Sequence, residues 1–347
     1  MRDLIYRAKE NNISGYKQII EKTNSVLMDC YNLIHLNVNG QKHKDFNSEN
    51  FLNKQNFFSQ ELLIAPLEIN RENSWEFLLP DKDNINVLTM WESSLLPRFS
   101  VKELNSVASK VFVPSLWNKE CFEFSGVKNV HLLNLFVDDQ AFHFKPKRNL
   151  EKFTFFAGAN LSSFEVSNVR KDITVIIDSF LKTFKNINDV ELVIKCTSAN
   201  KHSLPFFLDE RIKICAKNLP LSEFSDLFAE SDVFVSSSKS EGWGFFQIES
   251  LATGRPVITV DYGGVKDFCN ESNSFFIDYE EELATNYWAK SGGLWAKLNK
   301  ESLCEQMFHC YKNKDLIRNN WQRYSQSVLP KFSIESYKKR LIQLLEN

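Results

Sequence analysis

Short apolar runs alternate with helical stretches along nearly all 347 residues of this chain, and that alternation sets its class before any motif is read. In the first half the strand candidates fall at 4–7, 31–37, 62–65, 87–91, 111–114 and 130–135, with helix candidates at 16–26, 101–108 and 116–124. A second series follows, with strands at 153–157, 190–195, 212–216, 233–237, 256–260 and 274–277 and helices at 171–184, 222–229 and 246–252. Strand, helix, strand in this order predicts α/β domains with parallel sheets. The Asn-rich stretch 41–59 reads as loop and short helix, and the last ~45 residues as helical, with Leu341, Ile342, Leu344 and Leu345 at helical spacing. Between the two series, Asp138-Asp139-Gln140 and Lys145-Pro146-Lys147-Arg148-Asn149 have linker composition. Two domains on one linker leave a cleft, a favoured place for a ligand.

Composition narrows the function. The 42 Lys and Arg against 44 Asp and Glu leave a net charge of −2, without the basic excess of a dedicated duplex binder. Residues 1–60 carry eight Lys/Arg against six Asp/Glu, too slight an excess for a nucleic-acid face. The seven cysteines are scattered, with no C-x-x-C pair, and the six histidines form no ligand-spaced pair. We read free thiols in a reducing, cytoplasmic compartment and neither a disulfide framework nor a zinc site. No apolar run reaches the roughly 20 residues of a membrane span, and no signal-peptide core follows Met1. A peripheral contact with a membrane remains compatible with this composition.

Residues 231–264, SDVFVSSSKSEGWGFFQIESLATGRPVITVDYGG, carry the chemistry. A buried-type strand runs into a polar turn, then Glu241-Gly242-Trp243-Gly244, then a helix that Gly254 ends. Ligands of open α/β sheets bind at the carboxyl ends of strands. The two glycines let backbone approach a ligand, and the N–H groups of the helix start favour an anion such as a phosphate. Glu241 before the glycines and Glu249 about one turn into the helix supply carboxylates for hydroxyl pairs, suited to a sugar and a ribose.

The segment EGWGFFQIESLATGRPV resembles the signature E-G-[FW]-G-x-x-x-x-E-[AS]-x-A-x-G-x-P-V of glycosyltransferase family 4, retaining enzymes of the "glycosyl transferases group 1" type with the GT-B fold. KNLPLSEFSDLFAESDVFV at 217–235 resembles the helix and strand before that signature. VPSLWNKECFEFSGV at 113–127 resembles the family's helix closing the first domain, and 137–144 resembles its "GVD-x-x-x-F" linker with Phe136 in place of the glycine. Ser14-Gly15-Tyr16 resembles its first glycine loop.

The resemblance implies two Rossmann-like domains facing each other across a cleft: 1–143 on the acceptor side, 144–325 binding the nucleotide-sugar, and 326–347 as a helix returning to the first domain. It implies transfer of a sugar from a nucleoside-diphosphate donor to an acceptor hydroxyl with retention, by front-face attack, with no metal, no cofactor and no enzymic nucleophile. Glu241 is implied at the donor sugar hydroxyls and Glu249 at the ribose. The backbone of Gly242, Trp243, Gly244, Phe245 and Phe246 would line the sugar and diphosphate, with Gly15, Asn218 and Leu219 as further donor contacts. Lys171 matches the lysine that neutralises the diphosphate; read at a helix start, it is a cation misplaced against the dipole unless an anion lies near. Because adjacent helical positions do not share a face, Arg170 is expected to point away from Lys171.

Two departures stand out. The family's strand-end arginine is absent from Gly158-Ala159-Asn160, with Arg170 the candidate to replace it. Its first-domain histidine is absent from Thr89-Met90-Trp91-Glu92-Ser93, which leaves Trp91 and Glu92 as acceptor-side candidates. The rival readings are a sugar-phosphate synthase or epimerase of the same fold, a GT-B protein that binds nucleotide-sugar without turnover, and a glycosyltransferase acting on modified nucleic acid.

Overall fold

The computed structural model describes residues 2–8, 14–37, 61–67, 85–159, 170–196, 209–285, 289 and 291–347. The expected loop at 41–59 and Asn160 lie outside the described residues.

The chain divides into two compact units, one of Met1–Phe136, Lys290–Gly293 and Ile334–Asn347 and one of Val137–Ala289 and Leu294–Ser333. The change therefore falls at Phe136, ahead of the stretch with linker composition, and the returning segment begins at Ile334 where the sequence reading began it at 326. The reason lies in side chains that composition does not reveal. Val137 and Phe142 are core residues, and Lys147 is buried on Asp232 at 2.6 Å.

In the first unit β1 (Arg2–Ala8), β2 (Tyr31–Asn37), β3 (Glu61–Ile64), β4 (Ile85–Leu88), β5 (Ala108–Val113) and β6 (Val130–Leu132) form a parallel sheet in the order β2-β1-β3-β4-β5-β6. Its described helices are α1 (Ser14–Met28), α2 (Arg98–Val107), α3 (Leu116–Phe124) and the C-terminal α10 (Ile334–Glu346). The apolar stripe of α10, Tyr337, Leu341 and Leu345, is fully buried at helical spacing, and the Tyr337 hydroxyl meets Thr23 of α1 at 2.7 Å.

In the second unit β7 (Phe153–Ala159), β8 (Val190–Cys196), β9 (Ile212–Cys215), β10 (Val233–Val235), β11 (Val257–Val260) and β12 (Ser274–Ile277) form a parallel sheet in the order β12-β11-β10-β7-β8-β9. This is the dinucleotide-fold order, and its direction reverses between β7 and β10. The helices are α4 (Ile173–Thr183), α5 (Leu221–Ala229), α6 (Phe245–Ala252), α7 (Lys300–Lys312), α8 (Lys314–Asn319) and α9 (Trp321–Phe332). Many of the phenylalanines build this core: Phe156 and Phe246 each meet Phe228 and Phe234 edge to face, with centroids 4.8 to 6.1 Å apart.

The sequence reading did not anticipate the antiparallel hairpin of β13 (Tyr279–Leu283) and β14 (Leu294–Leu298). β13 is almost wholly exposed and its Glu280-Glu281-Glu282 run lacks strand composition; cross-strand pairing with Leu294–Leu298 overrides that weak preference.

Candidate active site

β10 delivers its chain to the point where the sheet order reverses. The serine run that follows it is structural. Ser236 Oγ accepts from the Ser238 N–H at 3.2 Å and from Gln247 Nε2 at 3.0 Å, which ties the turn to α6. Ser238 then bridges antiparallel to Lys171, and the Lys239 N–H donates to the Arg170 carbonyl at 2.9 Å. Lys171 is thus bridged to the serine turn, with Arg170 in the turn just before it. The helix begins only at Ile173, capped by Asp172, whose carboxylate accepts from the Thr174 N–H at 3.0 Å.

That geometry corrects the expectation that Arg170 points away from Lys171. Lys171 Nζ lies 2.7 Å from Glu241 Oε1, and Arg170 NH1 lies 3.2 Å from Glu241 Oε2 and donates to the Ser240 carbonyl at 2.5 Å. One carboxylate holds both cations, and the helix-dipole argument for Lys171 lapses because neither residue is in a helix. Burial pushes the Glu241 carboxyl up; the charges of Lys171 and Arg170, with hydrogen bonds from Lys171 and Ser238, outweigh it and hold the group at about 2. Glu241 is therefore ionised throughout the ordinary pH range.

The glycines of the motif have separate duties. Gly263 has φ +82°, and a Cβ there would stand 2.8 Å from the Glu241 carbonyl oxygen and 3.0 Å from its nitrogen. The Gly264 N–H donates to that same carbonyl at 2.7 Å. The Gly263-Gly264 pair thus clamps the backbone that carries the carboxylate. Gly244 has φ +101° and caps α6, so the chain turns sharply into the helix and leaves its first N–H groups directed at the loop. Glu249 sits in α6, 1% exposed.

Several residues of the expected donor lining have side chains that pack within the second unit. The Trp243 indole lies between Phe268 at 5.1 Å and Phe332 at 5.4 Å and is 1% exposed, so it offers the loop its backbone only. The Phe246 ring covers Gly158 at the end of β7, where a Cβ would come within 2.1 Å of it. Gly242 is buried and Phe245 half-buried beside them. Asn218 and Leu219 lie in the connection from β9, the edge strand of the sheet, to α5. Arg255 of the motif is buried away from Glu241, bonded to the carbonyls of Ser231, Thr253, Lys145 and Ala229 with Trp321 4.1 Å from its guanidinium.

Gly15, Trp91 and Glu92 belong to the first unit. Gly15 is in the first turn of α1, and its neighbour Tyr16 accepts at its hydroxyl from the Met90 N–H at 3.1 Å, so this turn and the end of β4 adjoin. Trp91 is a core residue: its indole N–H is shared by Ser93 Oγ at 2.8 Å and the Leu95 carbonyl at 2.9 Å. Glu92 is partly exposed in the same loop. The run Val113–Val127 carries Asn118 as a fixed position of the pattern it resembles, but sequence reasoning gave it no role; its side chain takes the Trp91 N–H at 2.9 Å and donates to the Trp91 carbonyl at 3.0 Å. Sequence reasoning missed Lys239, which pairs with Glu282 of the hairpin while Trp295 donates to the same carboxylate at 3.1 Å.

Residues 161–287 match the family described as glycosyl transferases group 1. The matched segment holds Arg170, Lys171, Asn218, Leu219, the loop from Glu241 to Phe246, and Glu249; Gly15, Trp91 and Glu92 lie outside it. Similar solved structures include sucrose-phosphate synthase from Thermosynechococcus elongatus, 11% identical with TM-score 0.69 over 99% of this chain and 98% of that one. HepE from Anabaena, in complex with UDP and glucose, is 12% identical with TM-score 0.63 over all of both chains. TarM from S. aureus is 15% identical with TM-score 0.62, covering 83% of this chain but only 55% of TarM. These likenesses place the fold in the GT-B class of glycosyltransferases. No curated protein matches the sequence. Among the described residues no helix is long and apolar enough to cross a membrane.

Proposed function

We propose that this chain is a retaining glycosyltransferase of family 4 that moves a sugar from a nucleoside-diphosphate donor to an acceptor hydroxyl without a metal or cofactor. One observation carries the reading: an ionised, mostly buried Glu241 held by two cations at the switch point of a dinucleotide-type sheet, beside the start of α6. A carboxylate fixed in this way accepts from sugar hydroxyls. The same cations stand where a diphosphate on the α6 N–H groups would need them, and charge that grows on a leaving diphosphate is stabilised by donors already in place. Glu249 lies further along α6 and takes the ribose hydroxyls. The nucleoside extends along the sheet edge toward Asn218 and Leu219 at the far strand.

Retention follows in this reading from front-face attack: the acceptor oxygen bonds to the anomeric carbon on the face the diphosphate leaves, the departing phosphate takes the acceptor proton there, and no protein nucleophile is needed. The family match over 161–287 and the GT-B neighbours, HepE with UDP and glucose among them, support the donor class. The acceptor is a glycan, a lipid-linked sugar or another hydroxyl compound, met by a cytoplasmic enzyme. The test is a thermal-shift screen with UDP-, GDP-, ADP- and dTDP-sugars followed by anomeric analysis of product. A ligand present at 100 times its Kd stabilises by about 2.7 kcal/mol. No shift with any donor would overturn the reading, and an inverted product would overturn retention.

A further inference from the structure

Among the described residues, the buried cations of the second unit are satisfied, with one exception. Lys147 has three acceptors for its three N–H groups: Asp232 at 2.6 Å, Thr154 Oγ1 at 2.9 Å and the Lys152 carbonyl at 2.9 Å. Arg255 has its four carbonyls and an aromatic face. Lys195 is 7% exposed; among the described residues its ammonium donates only to the Cys196 carbonyl, at 2.7 Å, and has no carboxylate at ion-pair distance. Two donors of a buried charge are left over. Such a group is costly to bury unless something completes its shell.

Its position says what that is. Lys195 is opposite Gly158 in the β7–β8 register, so both face the same side of the sheet. On that side the Phe246 ring covers Gly158, which places Lys195 beside the start of α6 at the carboxyl end of β8. Its strand stands across β7 from β10, the strand that leads to Glu241, two strand spacings or about 10 Å away. The formal charges point the same way. Arg170 and Lys171 both pair with Glu241, and with Glu249 in α6 counted beside them these four groups sum to zero. Lys195 is the charge in excess.

We propose that Lys195 is a second anchor for the nucleotide diphosphate, gripping it from the β8 side while Arg170 and Lys171 approach from the β10 side. The proposal rests on the donor-site reading above and adds a residue to it. It also answers the missing strand-end arginine: the cation absent after Gly158 on β7 is supplied from the neighbouring strand.

The test is calorimetry on the full chain with UDP, uridine, GDP and guanosine, for the wild type, Lys195→Met and Lys195→Arg. Lys195→Met should weaken the diphosphate that binds by roughly 10- to 100-fold, the scale of a lost charged hydrogen bond, and move its nucleoside by less than about 3-fold. Lys195→Arg should keep part of the affinity. The ligand-free melting temperature of Lys195→Met should hold or rise, because an incompletely bonded buried charge has been removed. Diphosphate affinity unchanged by Lys195→Met overturns the inference, as does equal loss for the nucleoside or a ligand-free protein that melts well below the wild type. A wild type that binds neither diphosphate overturns the donor-site reading itself and this inference with it.

Discussion

Replacing Glu241 by Gln tests the electrostatics of the site without changing its shape. The folded carboxyl sits at about 2 against an ordinary 4.5, a depression worth roughly 3.4 kcal/mol at 1.36 kcal/mol per unit. Lys171 is one-third exposed, and solvent screening on that partner reduces the figure to about 2–3 kcal/mol. Since the folded value lies below the unfolded one, this stabilisation is fully present above about pH 4.5 and is lost as the pH falls toward 2. Gln cannot ionise, so the variant lacks the contribution at every pH. Urea unfolding of both proteins at pH 7 and pH 3.5, followed by a probe in the second unit, should show a gap of about 2–3 kcal/mol that narrows by about 1 kcal/mol at the lower pH. A gap below about 0.5 kcal/mol, or one of equal size at both pH values, would refute the ion-pair account. The variant should also lose transfer activity, since an amide places a donor where a sugar hydroxyl needs an acceptor.

Glu249→Ala should weaken binding of the nucleoside diphosphate by about 1–3 kcal/mol in calorimetry, and unchanged affinity would remove Glu249 from the ribose site. Lys171→Ala should lower kcat by roughly 10²–10³, with Lys171→Arg recovering only part. Because Arg170 shares the same carboxylate, Arg170→Ala should also lower turnover; a variant at wild-type rate would show that its contact with Glu241 is dispensable. Gly263→Ala forces a Cβ onto the Glu241 backbone in a left-handed conformation, and should cost about 1–3 kcal/mol in thermal unfolding together with donor affinity. Full activity should persist in excess EDTA; loss on chelation that magnesium or manganese restores would contradict metal-free transfer.

The alternation of apolar runs placed all twelve strands of the two sheets, because a strand buried on both faces must be apolar almost throughout and turn residues bound it. Strands at Tyr31–Asn37 and Ser274–Ile277 and the helix at Leu116–Phe124 coincide with the reading to the residue. The motif from Glu241 to Gly264 was legible for the same local reason: a strand, a glycine turn and a helix start are contiguous in sequence, so their chemistry can be read in order. What joins distant segments could not be read. The bridge of Lys171 to Ser238 sets two cations on one carboxylate, although the helical rule for neighbouring residues had separated them. Trp243 and Trp91 stand in motifs that suggest ligands, yet their rings have core space to fill. The β13–β14 hairpin, Asn118 on the Trp91 backbone and Lys195 beside Gly158 likewise depend on pairing between strands or packing across the fold. Local propensity follows from neighbours along the chain; the partner of a charge follows from which strands the sheet places side by side.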